Sequence, residues 1–253
     1  MHLLITNDDG ITAPGILTLA RVAAAAGHSV VVVAPANQQS ATGHRLTINE
    51  SLMVIPMDID PNFKAFAVNG TPVDCVRIGR KLSEKPFDFC LSGINDGVNV
   101  GTDLFYSGTA AAAREAAMLY LPSMAISIDF GANEEMREKL AEQALLIMDY
   151  ILKRPMPRLT FCNLNAPNMP ADQVKPVKIA PISESYWLDD YDERVNPRGQ
   201  RYFWLQDGYM KEDPEPGSDV ALIFEGHMTV SFVGGFVNNN SLYYPKLEQL
   251  LEG

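Results

Sequence analysis

The chain has little of what several common function classes require. Only three cysteines occur in 253 residues, Cys75, Cys90 and Cys162, and they lie far apart, without the paired spacing of a zinc or redox site. Cys75 and Cys90 fall in apolar segments, so buried free thiols and a reducing, cytoplasmic setting are expected. Basic residues are scarce as well: 20 Lys and Arg against 31 Asp and Glu leave a formal charge of -11, with no cluster to reward a phosphate backbone. Neither a nucleic-acid polymer nor a membrane is therefore expected as a partner, and any phosphate-bearing substrate must be small and locally neutralised. No apolar run is as long as a membrane span, and the opening Met1-His2-Leu3 lacks a basic region leading into a long apolar stretch. Also missing are the dinucleotide fingerprint, the phosphate loop ending in Gly-Lys-Ser/Thr and the Gly-x-Ser-x-Gly elbow, so nicotinamide, ATP-hydrolysing and elbow-serine chemistry have no support. There is no internal repeat.

What is present is a hydrophobic content of 47%, enough for a sizeable core. The first apolar run, Leu3-Leu4-Ile5, reads as a strand that empties into Asn7-Asp8-Asp9-Gly10. Adjacent carboxylates at a strand end repel unless a cation compensates them, and a hard divalent metal does so. Asn-Asp-Asp-Gly is equally good turn chemistry, so these residues alone leave both readings level.

The rest of the chain supplies context. A helical segment over Ile16-Ala23 ends near Gly27, and Val30-Val33 is a continuous β-branched run suited to a strand buried on both faces. Strand, helix and strand at this spacing make a βαβ unit. The pattern continues with a helix after Thr71-Pro72, a strand at Phe87-Leu91, an alanine-rich helix from Thr109 to about Leu119, a strand at Ser123-Ser127 and a helix over Glu134-Leu152. The expected fold is a doubly wound, mostly parallel α/β sheet, Rossmann-like in outline. Residues 1-165 would form the core. Residues 166-253 read as a β-rich extension with prolines, exposed-looking aromatics such as Tyr186, Tyr202, Phe203 and Trp204, and a closing helix over Leu242-Leu251. Such an extension is expected to serve oligomerisation, with packing inside the lobe an equal alternative.

In open parallel sheets, ligands sit beyond the carboxyl ends of the strands. Three loops should meet there: Asn7-Gly10, Ala34-Arg45 and Ser92-Asp103, the last rich in Gly and Asn. The third runs on to Tyr106-Ser107-Gly108-Thr109 at the start of the alanine-rich helix, where hydroxyls, free N–H groups and the helix dipole suit an anion, or where Ser107 merely caps the helix. Asn7 and Asn99 join Ser107, Gly108 and Thr109 as candidate phosphate contacts. His44 and His227 are expected in ordinary roles, His44 facing solvent and His227 structural. Oxygen donors without His or Cys point to magnesium, manganese or calcium.

The chain resembles the SurE (survival protein E) family of metal-dependent nucleotide phosphatases. The resemblance rests on Asn7-Asp8-Asp9-Gly10 with Ala13-Pro14-Gly15, Val33-Ala34-Pro35 leading to Ser40, Gly70-Thr71-Pro72-Val73-Asp74-Cys75, Ser92-Gly93-Ile94-Asn95 and Tyr106-Ser107-Gly108-Thr109. It implies one divalent ion per subunit, magnesium or manganese, held by Asp8, Asp9, Ser40 and Asn95. It also implies hydrolysis of nucleoside 5′- or 3′-monophosphates, and a homodimer or homotetramer built through the C-terminal part. Asn196-Pro197-Arg198-Gly199 and Gly217-Ser218-Asp219 match weaker features there. Two departures stand out: Gly43 and Arg45 replace serines that usually follow the metal-ligand serine, and Gly226-Phe232 lacks the usual Ser-Ile-Thr-Pro, so a trimmed or rearranged C-terminal lobe is expected.

Asp8 and Asp9 would then be catalytic through the cation, with direct attack by one carboxylate as the alternative. A magnesium-dependent phospho-accepting signalling domain and a non-catalytic nucleotide-binding protein are the competing classes.

Overall fold

Strand β1 (His2–Thr6) lies at the centre of a nine-stranded sheet because both of its faces are apolar. In the computed structural model, which describes residues 1–210 and 214–234 (residues 187, 207, 209 and 210 by backbone only), Leu3, Leu4 and Ile5 are fully buried. Helix α1 (Pro14–Ala25) crosses to β2 (Ser29–Pro35), which pairs with β1 in parallel, giving the expected βαβ unit. No side chain caps α1. Pro14 instead starts it with a preset φ, and Gly27 follows its end in a left-handed conformation.

The chain then adds β3 (Val54–Met57) and β4 (Lys64–Val68), two strands without a sequence signal strong enough to be expected. Helix α2 (Pro72–Leu82) begins with a reciprocal cap between Thr71 and Asp74 and leads to β5 (Phe89–Asp96). After a short 3-10 turn at Gly101–Phe105 come α3 (Gly108–Met118), β6 (Ser123–Ile128), α4 (Glu134–Lys153) and β7 (Thr160–Ala166). The strands from β4 through β2, β1, β5 and β6 to β7 run parallel, with β3 antiparallel at the edge. Alternation along β1 divides the core. Leu3 and Ile5 join Ile16 and Leu19 of α1 and Met136 and Leu140 of α4, whereas Leu4 joins Val76 of α2 and Ala112 of α3 on the opposite face. The fold is thus the doubly wound α/β sheet that the sequence predicts.

One boundary differs. The third strand was expected over Phe87-Leu91, yet β5 continues to Asp96, pairing Asn95 with Ser127 and Asp96 with Ile128 after a register shift. Glycine at 93 makes this possible, since a Cβ there would lie 2.2 Å from the Ile126 carbonyl oxygen. The glycine- and asparagine-rich loop therefore starts at Gly97 rather than Ser92, and Asn95 and Asp96 are fixed by the sheet.

Beyond residue 166 the chain does not leave the sheet at once. Strand β11 (His227–Gly234) pairs antiparallel with β7, and β8 (Lys175–Ile179) pairs parallel with β11, so the segment that departs from the family pattern completes the main sheet. Only β9 (Trp187–Val195) and β10 (Arg201–Met210) form a separate antiparallel pair, closed by the expected turn at Asn196–Gly199. A six-residue helix, α5 (Asp219–Phe224), precedes β11. The helix expected at Leu242-Leu251 lies outside the described residues. His227 is buried with Nδ1 2.8 Å from the Pro176 carbonyl oxygen. All three cysteines are buried, and burial pushes the Cys90 and Cys162 thiols up to about 12. No helix among the described residues is long and apolar enough to cross a membrane.

Helix α1 presses on β5 through Gly15, where a Cβ would stand 2.0 Å from the Ile94 carbonyl oxygen. That oxygen is backbone and cannot yield without moving the strand that carries Asn95. Replacing Gly15 with Ala is expected to destabilise the fold by roughly 2–3 kcal/mol or more, measured by urea unfolding against an Ala24→Gly control of the same helix.

Candidate active site

The winding of the sheet decides where a ligand can sit. From β1 the chain moves outward to β2 and β4, then crosses back to β5 and outward on the other side, so β1 and β5 flank the switch point. Their carboxyl ends deliver Asp8 and Asp9 from one strand and Asn95 and Asp96 from the other. The second loop is tied to the same point, since the Gln39 N–H donates to the Asp8 carbonyl at 2.7 Å. Ser40 follows, exposed.

Asp8 is 4% exposed and faces the start of α3. Its Oδ2 accepts the Thr109 N–H at 3.2 Å, and its Oδ1 accepts the Thr109 hydroxyl. The helix can come this close because residue 108 lacks a side chain: a Cβ there would be 2.8 Å from Asp8 Cβ and 2.9 Å from its Oδ2. The fully buried Ala110–Ala113 run lets α3 settle against the sheet. Asp9 accepts the Asp96 N–H at 3.2 Å through Oδ2. The Asp96 carboxylate is itself gripped by Arg137 of α4 at 3.2 and 3.3 Å.

These contacts leave the acid pair under-compensated. Burial, with a further contribution from Asp9, pushes the Asp8 carboxyl up to about 6, against the hydrogen bonds from Thr109. Burial, then the Asp96 charge, raises Asp9 as well. Among the described residues no Lys or Arg forms an ion pair with either one. Adjacent like charges, one buried and one half-buried, without a paired cation are a circumstance in which a divalent metal stabilises. The donor set fits such an ion: two carboxylates, the Ser40 hydroxyl, and the Asn95 carbonyl oxygen, since the Asn95 amide nitrogen donates to Gly97 O at 2.6 Å.

Several candidate phosphate contacts have other duties. Asn7 is fully buried and braces the acidic loop, Nδ2 donating to Gly10 O at 2.9 Å and Oδ1 accepting the Gly10 N–H at 3.2 Å. Both polar atoms of its side chain thus serve to close the turn. Asn99 is pinned inward, its Nδ2 on Ser127 Oγ at 2.8 Å and its carbonyl accepting from Asn163 and Asn165, because a loop folded over strand ends must satisfy its backbone. Thr109 gives both donors to Asp8, so the helix start is already occupied by a carboxylate. Ser107 caps α3 by accepting the Ala110 N–H at 3.0 Å, leaving its own O–H as a donor, and the Gly108 N–H has no partner among the described residues. Of these five candidates, Ser107 and Gly108 are the ones left with a donor that has no partner among the described residues.

The loop with unusual residues is also held differently from expectation. His44 does not face solvent; its Nε2 lies 2.8 Å from Oε2 of the buried Glu115 on α3, which also pairs with Arg77 at 2.7 Å. Gly43 donates its N–H to Tyr106 O at 2.9 Å, and Arg45 O accepts the Thr71 hydroxyl at 2.7 Å. Main-chain ties thus fix the loop that presents Ser40. Sequence reasoning gave no role to Asp96, Glu115, Arg137 or Asp219, nor to Gln38, whose Nε2 donates to Asp9 Oδ1 at 3.5 Å. Gln38, Asp96 and Asp219 carried a signal only as members of the segments Ala34-Arg45, Ser92-Asp103 and Gly217-Asp219 already quoted.

Fold and site define a doubly wound α/β protein with an acidic, cation-seeking centre at its switch point. The family model described as "Survival protein SurE" matches residues 3–189, and the chain belongs to the SurE family. A relative from Thermosipho africanus named 5′-nucleotidase SurE is 40% identical over 254 residues, covering 100% of this chain and 98% of that protein. Another of that name, from Desulfovibrio desulfuricans, is 41% identical with 91% of each chain covered. The crystal structure of the SurE protein from Aquifex aeolicus aligns with a TM-score of 0.81 at 32% identity and covers 100% of both chains.

The raised Asp8 gives a pH signature for the metal-free protein. Between its ordinary 3.8 and about 6 the folded state holds the Asp8 proton more tightly than the unfolded state, so this group's contribution to stability falls as pH rises through that window. Relative to Asp8→Asn, the wild type in chelator should lose roughly 2–3 kcal/mol between pH 4 and pH 7, read by urea unfolding. Parallel profiles for the two proteins would contradict the assignment.

Proposed function

We propose that the chain is a metal-dependent 5′-nucleotidase, hydrolysing nucleoside monophosphates to nucleoside and inorganic phosphate. One observation carries this reading: a carboxylate pair, Asp8 buried and Asp9 half-buried, with no Lys or Arg ion-paired to either among the described residues, stands at the switch point of the sheet beside a helix-start N–H that has no partner among them. The name shared by the relatives supports the substrate class, and the oxygen-only donor set supports magnesium or manganese, one ion per subunit.

Asp8, Asp9, Ser40 and Asn95 would hold a divalent cation, which when bound would supply Lewis acidity toward a phosphoryl oxygen and an attacking water. Asp8 and Asp9 provide the two negative charges that balance it. Thr109 holds Asp8 in one orientation with two hydrogen bonds, and Asp96 fixes Asp9 through its backbone N–H. Charge developing on the phosphoryl oxygens is met by the Gly108 N–H and the Ser107 hydroxyl at the positive end of α3. Gly108 also sets the spacing between helix and carboxylate.

Replacing Asp8 or Asp9 with Asn is expected to lower phosphate release from nucleoside monophosphates by at least about 100-fold while leaving the folded state intact. The direct assay is phosphate release from 5′- and 3′-monophosphates, polyphosphate and an aryl phosphate, with and without magnesium or manganese. Full turnover in both variants overturns the reading. Stable phosphate labelling of the protein without repeated turnover identifies a phospho-accepting domain instead.

The same reading makes the chain a homodimer or homotetramer assembled through β9 and β10, which expose Tyr191, Val195, Phe203, Trp204 and Leu205 on a two-stranded arm. An isolated hairpin with this much apolar surface is stabilised by burial against another subunit. Trp204→Asp combined with Leu205→Asp should shift the mass measured by sedimentation toward the monomer. An unchanged mass assigns the contact elsewhere.

A further inference from the structure

A second concavity lies beside the acidic centre, and nothing in the proposed hydrolysis uses it. It is a cleft of about 370 Å³ between the loop after β5, the loop after β6 and helix α5. Its floor is apolar and fixed, with Val100, Val220 and Ile223 all buried. Phe130 and Phe224 also line it, 71% and 67% exposed. Two bare aromatic rings over a buried aliphatic floor leave apolar surface in water that a flat ligand would cover.

Three observations identify the ligand. The cleft adjoins the acidic centre: the Phe130 ring packs over Gly97, where a Cβ would be 2.7 Å from its Cζ, and Gly97 follows Asp96, whose N–H is on Asp9. Among the described residues the lining includes Asp103, Asp129 and Ser185 but no Lys or Arg; the two acids repel a phosphate, and the Asp129 carboxylate offers an acceptor to an N–H donor. Finally, the walls are preset. The buried Asp219 carboxylate accepts from the Gly101 N–H at 3.0 Å, the Ser183 N–H at 2.8 Å and the Val220 N–H at 2.9 Å, locking the loop after β5 to α5. A planar, uncharged, N–H-bearing ring attached to a phosphate is a nucleobase. We infer that this cleft is the nucleobase subsite, with Phe130 and Phe224 as specificity-determining residues that stack on the base while the phosphate lies at Asp8, Asp9 and Gly108.

This inference rests on the proposed nucleotidase reading, and two measurements separate the failure of one from the failure of the other. The first compares kcat/KM for nucleoside 5′-monophosphates with that for ribose 5-phosphate, which has the same phosphate and no base. Phe224→Ala and Phe130→Ala are expected to lower the ratio by about tenfold each, mainly through KM for the nucleotide. An unchanged ratio overturns the subsite, as does a fall caused instead by Tyr106→Ala, which opens the neighbouring cleft between Thr102 and Asp189. The second measurement is calorimetric titration of a nucleoside monophosphate, which needs no turnover. If the wild type hydrolyses no phosphomonoester, the nucleotidase reading fails, while binding weakened about tenfold by Phe224→Ala still supports the base subsite. Absent binding, or equal binding by wild type and variant, overturns it.

Discussion

The repulsion between a buried carboxylate, Asp8, and its half-buried neighbour, Asp9, is the constraint around which the molecule is arranged. Asp8 and Asp9 leave the central strand where water is largely excluded, and a fold that merely tolerated them would neutralise them with a nearby Lys or Arg. Here the compensation is partial and directional: Thr109 donates twice to Asp8, and the Asp96 backbone donates to Asp9. Each donor faces one side of a carboxylate and leaves its other lone pairs open. Glycine at 108 and the buried alanines behind it are consequences, since a helix bearing any Cβ at that position could not come within hydrogen-bonding reach of Asp8.

The same economy runs through the loops. Asn7 closes the acidic turn on Gly10, Asn99 holds the third loop down on β6 and β7, and Asp219 joins that loop to α5. Each is a buried polar side chain satisfying backbone groups that a loop over strand ends would otherwise leave unpaired. The result is a braced rim that joins the acidic centre to the neighbouring cleft with its apolar floor. Rigidity matters because preset donors require little reorganisation when charge develops on a phosphoryl group.

The sequence made the core readable because its signals are local and strong. Val30-Val33, the alanine run and the Glu134-Leu152 periodicity report strand and helix directly, and the Asn-Asp-Asp-Gly loop reports unusual chemistry. Strands β3 and β4 were missed because Val54–Met57 and Lys64–Val68 are short and carry Pro and Lys, which weaken the pattern. The end of β5 was misread because Gly93 and Asn95 have loop composition, while pairing with β6 holds them extended. Ser40 and Asn95 came from family resemblance, and the sheet brings Asn95 to the strand ends beside Asp9 while Gln39 ties the Ser40 loop to Asp8.

Residue order alone determined the alternation of strands and helices, the excess of negative charge, the placement of two acids after the first strand and membership of a recognisable motif set. These follow from periodicity and composition, which act over a few residues. Tertiary structure decided which polar side chains are free. It turned Asn7, Asn99 and Thr109 inward, paired His44 with Glu115, left the Gly108 N–H and the Asn95 side-chain carbonyl without a partner among the described residues, and left the Phe130 and Phe224 rings exposed. Only the folded backbone decides this division, because whether a polar group faces a ligand depends on which distant N–H or C=O lacks a partner once the chain has closed.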